Sequence, residues 1–286
     1  MSIISKLKFK NTHLLSLIVI FLLAFFLRTV ALTQIPSGFH ADEASFYINA
    51  LAISKTGADE DGNKLPLSLA SIIDPKPAFY SYIQIPSLII FDNQVFASRF
   101  PSVVLSIFSL FIGYLLVRKL SNKKIALLTT LILAISPWHI MVSRGTQEVI
   151  ASFLFLLVSL LLLISYLEKK KINQIPLLLS FLFTSFLSMY FYHSAKLLLP
   201  LLAFGLIVYF YLCFKRYKKS SIYIKSSVII LAILVFAGIS SLLIQESNSR
   251  ISAVGIFHDQ APKQELMEQI FSIQKQLPNK VVSIFH

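Results

Sequence analysis

"NTHLLSLIVIFLLAFFLRTVALTQIPSGFHADEASFY", residues 11–47, sets an acidic pair, Asp42-Glu43, directly behind an apolar run. The run, 13–33, is long enough to cross a hydrocarbon core of about 30 Å. It follows Lys6, Lys8 and Lys10 and is not followed by a small-x-small cleavage site, so it reads as a retained anchor rather than a signal peptide. Two carboxylates at a lipid surface that is itself often anionic require a reason.

The rest of the chain repeats the apolar pattern. Of 286 residues, 56% are hydrophobic and 14% charged, with a mean hydropathy of +0.75. A soluble domain carries about a quarter charged residues, so the chain is an integral membrane protein. The net charge of +13 does not indicate nucleic acid, because the basic residues cluster between apolar spans. The single cysteine, Cys213, excludes an internal disulfide and a cysteine metal cluster.

Seven spanning helices are expected, at 13–33, 100–118, 124–141, 149–167, 174–193, 196–214 and 222–244. With the N-terminus in the cytoplasm, the segments "RKLSNKK", "EKKK" and "KRYKKSSIYIK" also fall there. Together with the N-terminus they hold fifteen of the 26 Lys and Arg. Of the 13 acidic residues only Glu168 then lies inside. The expectation is a multi-pass plasma-membrane protein with residues 34–99 forming one long external segment.

Within that segment "AFYSYIQIPSLIIF", 78–91, is too short to span and contains Pro86, so it reads as an interfacial or re-entrant helix. Residues 42–55 fit a helix with Phe46, Tyr47, Ala50, Leu51 and Ser54 on one face. Asp42 then sits at its N-terminus, where the helix dipole favours a charged carboxylate.

Further charges collect on the same side: Lys76, Arg99, Arg144, Glu148, His193, Lys196 and Arg250. A carboxylate facing fixed cations suits one reaction type. The carboxylate takes the proton of an acceptor hydroxyl, and Lys or Arg stabilises a phosphate leaving group. A lipid-linked donor would place such a site at the membrane surface. No P-loop or other nucleotide motif occurs, and no cofactor or metal is expected.

"PSGFHADEASFY", "DPKPAFYSYIQIPSLIIF", "ASRFPSVVLSIFSLFIGYLLVRKL" and "SPWHIMVSRGTQEV", taken in order, resemble the N-terminal half of family 39-type glycosyltransferases. That family has the GT-C membrane fold and includes protein O-mannosyltransferases and lipid A aminoarabinose transferases. The resemblance covers roughly residues 14–200, with weaker echoes at "YFYHSAK" and "SRISAVGIF". It implies that Asp42 is the base or acceptor-binding carboxylate, that Glu43 is its partner, and that Lys76 meets the lipid-carrier phosphate. The family's Lys-Pro-Pro reads Lys-Pro-Ala here. Family members also run well beyond 286 residues, so residues 1–244 are expected to be the shared seven-helix module and 245–286 the external start of a further region.

Plainer readings stand beside these. Asp42-Glu43 fits a helix cap, and Asp59, Glu60 and Asp61 fit a solvated turn. Lys76 and Arg28 suit snorkelling to headgroups. Arg99, His193, Lys196 and His139 suit interfacial anchors, and Arg144 could pair with Glu148 at i, i+4. His40, Asp42 and Glu43 are metal-ligand types but lack a second cluster at ligand spacing.

The sequence reading is therefore an all-α polytopic GT-C-like module. It would transfer a hexose, with inversion, from a polyprenyl-phosphate donor to a protein, lipid or glycan acceptor at the external face. Phosphate contacts would come from Lys76, Arg99, Arg144, His193, Lys196 and Arg250, with Glu148 in the pocket. The alternatives are a transporter or flippase, or a non-catalytic scaffold of envelope assembly. Transporters place ionisable groups near the midplane of interrupted helices, whereas here they gather at one face.

Overall fold

The computed structural model describes residues 3–69, 76–168, 174–213, 233 and 235. The chain divides into two units, Met1–Ile239 and Ser240–His286, and every described residue belongs to the first. The expected span 222–244 (apart from Ile233 and Val235), the segment 245–286 and Arg250 lie outside the described residues.

The architecture is all-α and polytopic. In chain order the helices are α1 (Ile3–Thr29), α2 (Ala41–Thr56), α3 (Phe79–Ile90), α4 (Gln94–Leu120), α5 (Lys123–Ile135), α6 (Pro137–Arg144), α7 (Glu148–Glu168), α8 (Gln174–Phe191) and α9 (Ser194–Cys213). A two-stranded antiparallel ribbon, β1 (Ser68–Leu69) with β2 (Lys76–Pro77), precedes α3, pairing Ser68 with Pro77 and Leu69 with Lys76. Among the described residues, α1, α4 and α7 are each long and apolar enough to cross a membrane. Helices α8 and α9 are shorter apolar helices at the positions of two expected spans.

The expected continuous span 124–141 is a bent pair instead, α5 and α6 meeting at 55°. Pro137 at the start of α6 forces the break. A residue before proline is driven out of the helical region, and Ser136 is extended at φ −61°, ψ 121°. Proline has a second effect in α4. Pro101 has no N–H to offer the Ala97 carbonyl, and the Ser87 hydroxyl of α3 donates to that carbonyl at 2.5 Å instead. The short apolar helix α3 is thus tied to the span beside it.

Helices α4 and α7 form the centre. On one flank, Leu116 of α4 packs with Leu160, Leu163 and Ile164 of α7, Phe181 of α8 and Leu199 of α9. On the other, Ile20 and Ala24 of α1 meet Leu110 of α4 and Ala134 of α5. Helices α7 and α8 approach closely through small residues, as membrane helices do. The Ser152 hydroxyl donates to the Ser188 carbonyl at 2.8 Å, and the Ser188 hydroxyl returns a bond to Ser152 at 3.0 Å.

Arg28 and His139 differ from the expected snorkelling and interfacial anchoring: both are fully buried. The Arg28 guanidinium donates to the carbonyls of Ala24 and Ala134 and to His139 Nδ1, each at 2.7–2.9 Å. Ala134 lies in the last turn of α5, whose carbonyls have no partner within their own helix. Arg28 supplies one. The other His139 nitrogen, Nε2, faces the Ser109 hydroxyl at 2.9 Å.

Candidate active site

Helix α2 begins at His40, which is extended at φ −70°, ψ 152°. Its Nδ1 accepts from the Asp42 N–H at 3.4 Å, while the His40 N–H donates to Glu43 Oε2 at 3.2 Å. This reciprocal capping fixes which way the acidic pair faces. Gly57 closes the helix in the left-handed conformation, φ 71°, which glycine adopts without steric cost. The buried stripe of α2 runs through Glu43, Phe46, Asn49, Ala50 and Ile53. It is rotated from the expected face, because Tyr47 and Leu51 are only half-buried and Ser54 is exposed.

The two carboxylates therefore part company. Glu43 is 3% exposed. Its Oε1 accepts from Arg99 Nε at 3.1 Å and from the Thr146 N–H at 2.8 Å, and its Oε2 accepts from Arg99 Nη2 at 2.9 Å. Asp42 remains 57% exposed in its side chain, and its Oδ1 stands 2.5 Å from Lys76 Nζ. The Lys76 side chain is only 8% exposed, and its ammonium sits 5.4 Å from the centre of the Phe46 ring. The cation is thus sheltered against the Phe46 ring, and the anion faces outward.

Arg99 and Arg144 are employed differently from the expected phosphate contacts. Arg99 is fully buried. Besides Glu43, it donates to the carbonyls of Leu32, Pro36 and Gly38 at 2.9, 2.9 and 2.6 Å, so all five guanidinium N–H groups are engaged. Arg144 donates to Leu27, Val30, Ala31 and Ile35 carbonyls at 2.7–3.3 Å. Those carbonyls lie at and just beyond the end of α1, where intrahelical donors run out. The two arginines staple the α1–α2 connection, and with it Asp42, to α4 and α6.

Around the pair lies a largely aromatic apolar cluster in which Phe46, Tyr80 and Phe191 pack with Ala151, joining α2, α3, α7 and α8. Phe79 meets Phe191 edge-on at 5.8 Å, bringing the α8–α9 junction to this end. There Lys196 Nζ lies 3.3 Å from His193 Nδ1, and Lys196 is itself buried. Burial raises the Tyr80 hydroxyl pKa; the Ser102 hydrogen bond opposes this, and the charges of Glu148 and Glu43 add to the rise. Tyr80 therefore stays neutral beside Ser102, with Glu148 at the start of α7 close by.

The acidic turn is more ordered than a solvated loop. Asp59 is 5% exposed and accepts from the N–H groups of Asp61 and Asn63 and from the Asn63 amide. Asn49 and Glu60 bond reciprocally at 2.9 and 3.1 Å, fastening the turn to α2. Sequence reasoning missed this, as it missed Thr146. Among the described residues no group of three His, Cys, Asp or Glu side chains could hold a metal ion. In "HADE" the Glu43 carboxylate turns inward to Arg99, away from Asp42.

No curated protein matches the chain. A family model described as dolichyl-phosphate-mannose-protein mannosyltransferase matches residues 75–240, a range that contains Lys76 and α3 to α9. That match covers more than half of the chain, which belongs to this family of GT-C-type membrane glycosyltransferases.

Proposed function

We propose that the protein transfers a hexose from a polyprenyl-phosphate donor to an acceptor hydroxyl on the extracytoplasmic side, inverting the anomeric carbon. The observation that carries this reading is the Asp42–Lys76 contact at 2.5 Å between an exposed carboxylate and a sheltered ammonium. Asp42 is the one acid of the pair open to an acceptor, since Glu43 is consumed by Arg99. The family match supports the donor class.

In this mechanism Asp42 accepts the proton of the acceptor hydroxyl as its oxygen attacks the anomeric carbon. The bond from that carbon to the phosphate oxygen breaks, and the electron pair leaves with polyprenyl phosphate. Lys76 turns from Asp42 to the departing phosphate and stabilises the charge developing there. Before the donor arrives, the ammonium pairs with the carboxylate. Glu43, Arg99 and Arg144 hold the α2 start in place, and Lys196, beside His193 Nδ1, supplies positive charge from the α8–α9 junction.

Orientation follows the same reading, with the N-terminus in the cytoplasm and Asp42 outside, as the basic short segments favour. The acceptor is a protein, a lipid or a glycan. The test is stereochemical. Protein reconstituted with a polyprenyl-phosphate hexose of defined anomeric configuration should give product of the opposite configuration by NMR. Retained configuration would contradict single displacement with Asp42 as base.

A further inference from the structure

Two leucines stand out among the apolar side chains on the Asp42 side: Leu65 is 71% and Leu67 is 79% exposed. Both belong to the connection between α2 and β1 rather than to a spanning helix. Leu65 also takes a left-handed backbone conformation, φ 46°, which is unfavourable for a branched side chain. A loop that turns two leucines outward, one of them against steric preference, is presenting them to something.

The Leu65 N–H and the Pro66 and Leu67 carbonyls of this tip find their partners within the protein. The Leu65 N–H donates to the Gly57 carbonyl at 3.0 Å. Pro66 has no N–H, and its carbonyl accepts from the Tyr82 hydroxyl at 3.1 Å. The Leu67 carbonyl accepts from the Ala78 N–H at 3.2 Å and from the Tyr190 hydroxyl. An aqueous loop needs none of this, because water serves its carbonyls. A loop lowered into hydrocarbon needs it, because each unmet polar group there is costly.

The tip also continues a lipid-facing surface. Phe183 and Phe186 of α8 are 63% and 64% exposed. Phe186 stacks on Tyr190 with centroids 6.3 Å apart, and the Tyr190 hydroxyl reaches Leu67. Tyrosines at this level mark the boundary between hydrocarbon and headgroups. The apolar strip on α8 therefore runs unbroken into the leucines.

We propose that Leu65-Pro66-Leu67 is a membrane wedge that inserts into the acyl chains of the leaflet on the Asp42 side. Its chemical partner is bulk lipid hydrocarbon, entered to about 5–10 Å as an interfacial apolar face is. Leu69 pairs with Lys76, and Leu67 is bonded to Ala78, so the wedge and the lysine share one ribbon. A ribbon anchored at the acyl boundary holds Lys76 at the height of lipid phosphates. That last consequence rests on the proposed function; the insertion itself does not.

The test is a depth measurement on the full chain. In a Cys213→Ser background, Leu67→Cys, Leu65→Cys and, as an aqueous control, Asp61→Cys are spin-labelled. Each is reconstituted in phosphatidylcholine vesicles, and collision with oxygen is compared with collision with a water-soluble nickel complex. Labels at 65 and 67 should favour oxygen and the label at 61 should favour nickel, with no change when polyprenyl phosphate is added. Equal nickel access at all three positions would overturn the wedge. So would a change at 65 and 67 on adding polyprenyl phosphate, which would make the leucines a wall of the donor site instead. No turnover is needed, so failure of the proposed reaction leaves this result readable.

Discussion

Lys76 and Asp42 form an ion pair of 2.5 Å in which the partners differ sharply in exposure, 8% for the lysine side chain and 57% for the aspartate. The lysine is held by the Phe46 ring and by its pairing with Leu69, while the aspartate is fixed through its backbone at the α2 cap, with His40 Nδ1 3.8 Å from its second oxygen. Replacing the lysine therefore removes a fixed charge, and replacing the aspartate removes a chemical group from an intact frame.

Lys76→Ala should slow sugar transfer by on the order of 10²–10³, the usual effect of removing one charge-stabilising donor. Lys76→Arg should recover part of the loss, since it keeps the charge. Steady-state kinetics with varied donor concentration would check this, and an unchanged rate in Lys76→Ala would remove the lysine from the phosphate site.

Arg99→Ala should destabilise the fold rather than tune the reaction. It strands the buried Glu43 carboxylate and three carbonyls, at a cost of about 3–5 kcal/mol for a broken buried pair. Arg99→Lys should also destabilise, because an ammonium offers three donors in place of a five-donor fork. Thermal unfolding in detergent reads both, and wild-type stability in either variant would show that the staple is dispensable.

Ser87→Ala should cost about 1–3 kcal/mol by leaving the Ala97 carbonyl without a donor. The loss should shrink when Pro101→Ala restores an N–H to the helix. A double-mutant cycle measures that coupling, and additive effects would contradict the hydroxyl's role.

Asp59 links the loop to pH. Burial alone would raise its pKa, but hydrogen bonds from Asn63, Asp61 and Gly62 outweigh burial and the net shift is downward. The folded value lies below the unfolded one, so the stabilisation is complete above the ordinary carboxyl range and disappears as pH falls through the folded value. Limited proteolysis of the 57–69 loop should accelerate as pH falls through that acidic window, and Asp59→Asn should flatten the dependence.

Much of this was legible in the sequence because hydropathy and length govern membrane helices directly. The runs at α1, α4 and α7 reappear as helices long enough to span, and α3 appears where a short apolar run containing Pro86 suggested an interfacial element. The motifs from Lys76 onward pointed to a GT-C-type glycosyltransferase, the broad family that the match over residues 75–240 supports. What remained hidden depends on tertiary partners. Nothing in a one-dimensional pattern separates Asp42 from Glu43, since only the position of Arg99 across the fold turns one inward. Charge counting also placed Arg28 at a headgroup, whereas the unmet Ala134 carbonyl at the end of α5 draws it inside. The kink at Ser136-Pro137 was written in the sequence but lay inside a continuous apolar run.

The central claim is that Asp42 is the reacting base. The direct measurement is release of polyprenyl phosphate from a labelled polyprenyl-phosphate hexose by reconstituted protein with a mixed acceptor extract, comparing wild type with Asp42→Asn. Asp42 is exposed, and asparagine keeps a side-chain oxygen that can accept from the Lys76 ammonium, so the variant should fold, as thermal unfolding measured beside activity would show. Wild type should release polyprenyl phosphate and Asp42→Asn should be slower by about 10²–10⁴, the range for loss of a general base. Equal release by the two folded proteins would contradict the assignment and move the base elsewhere.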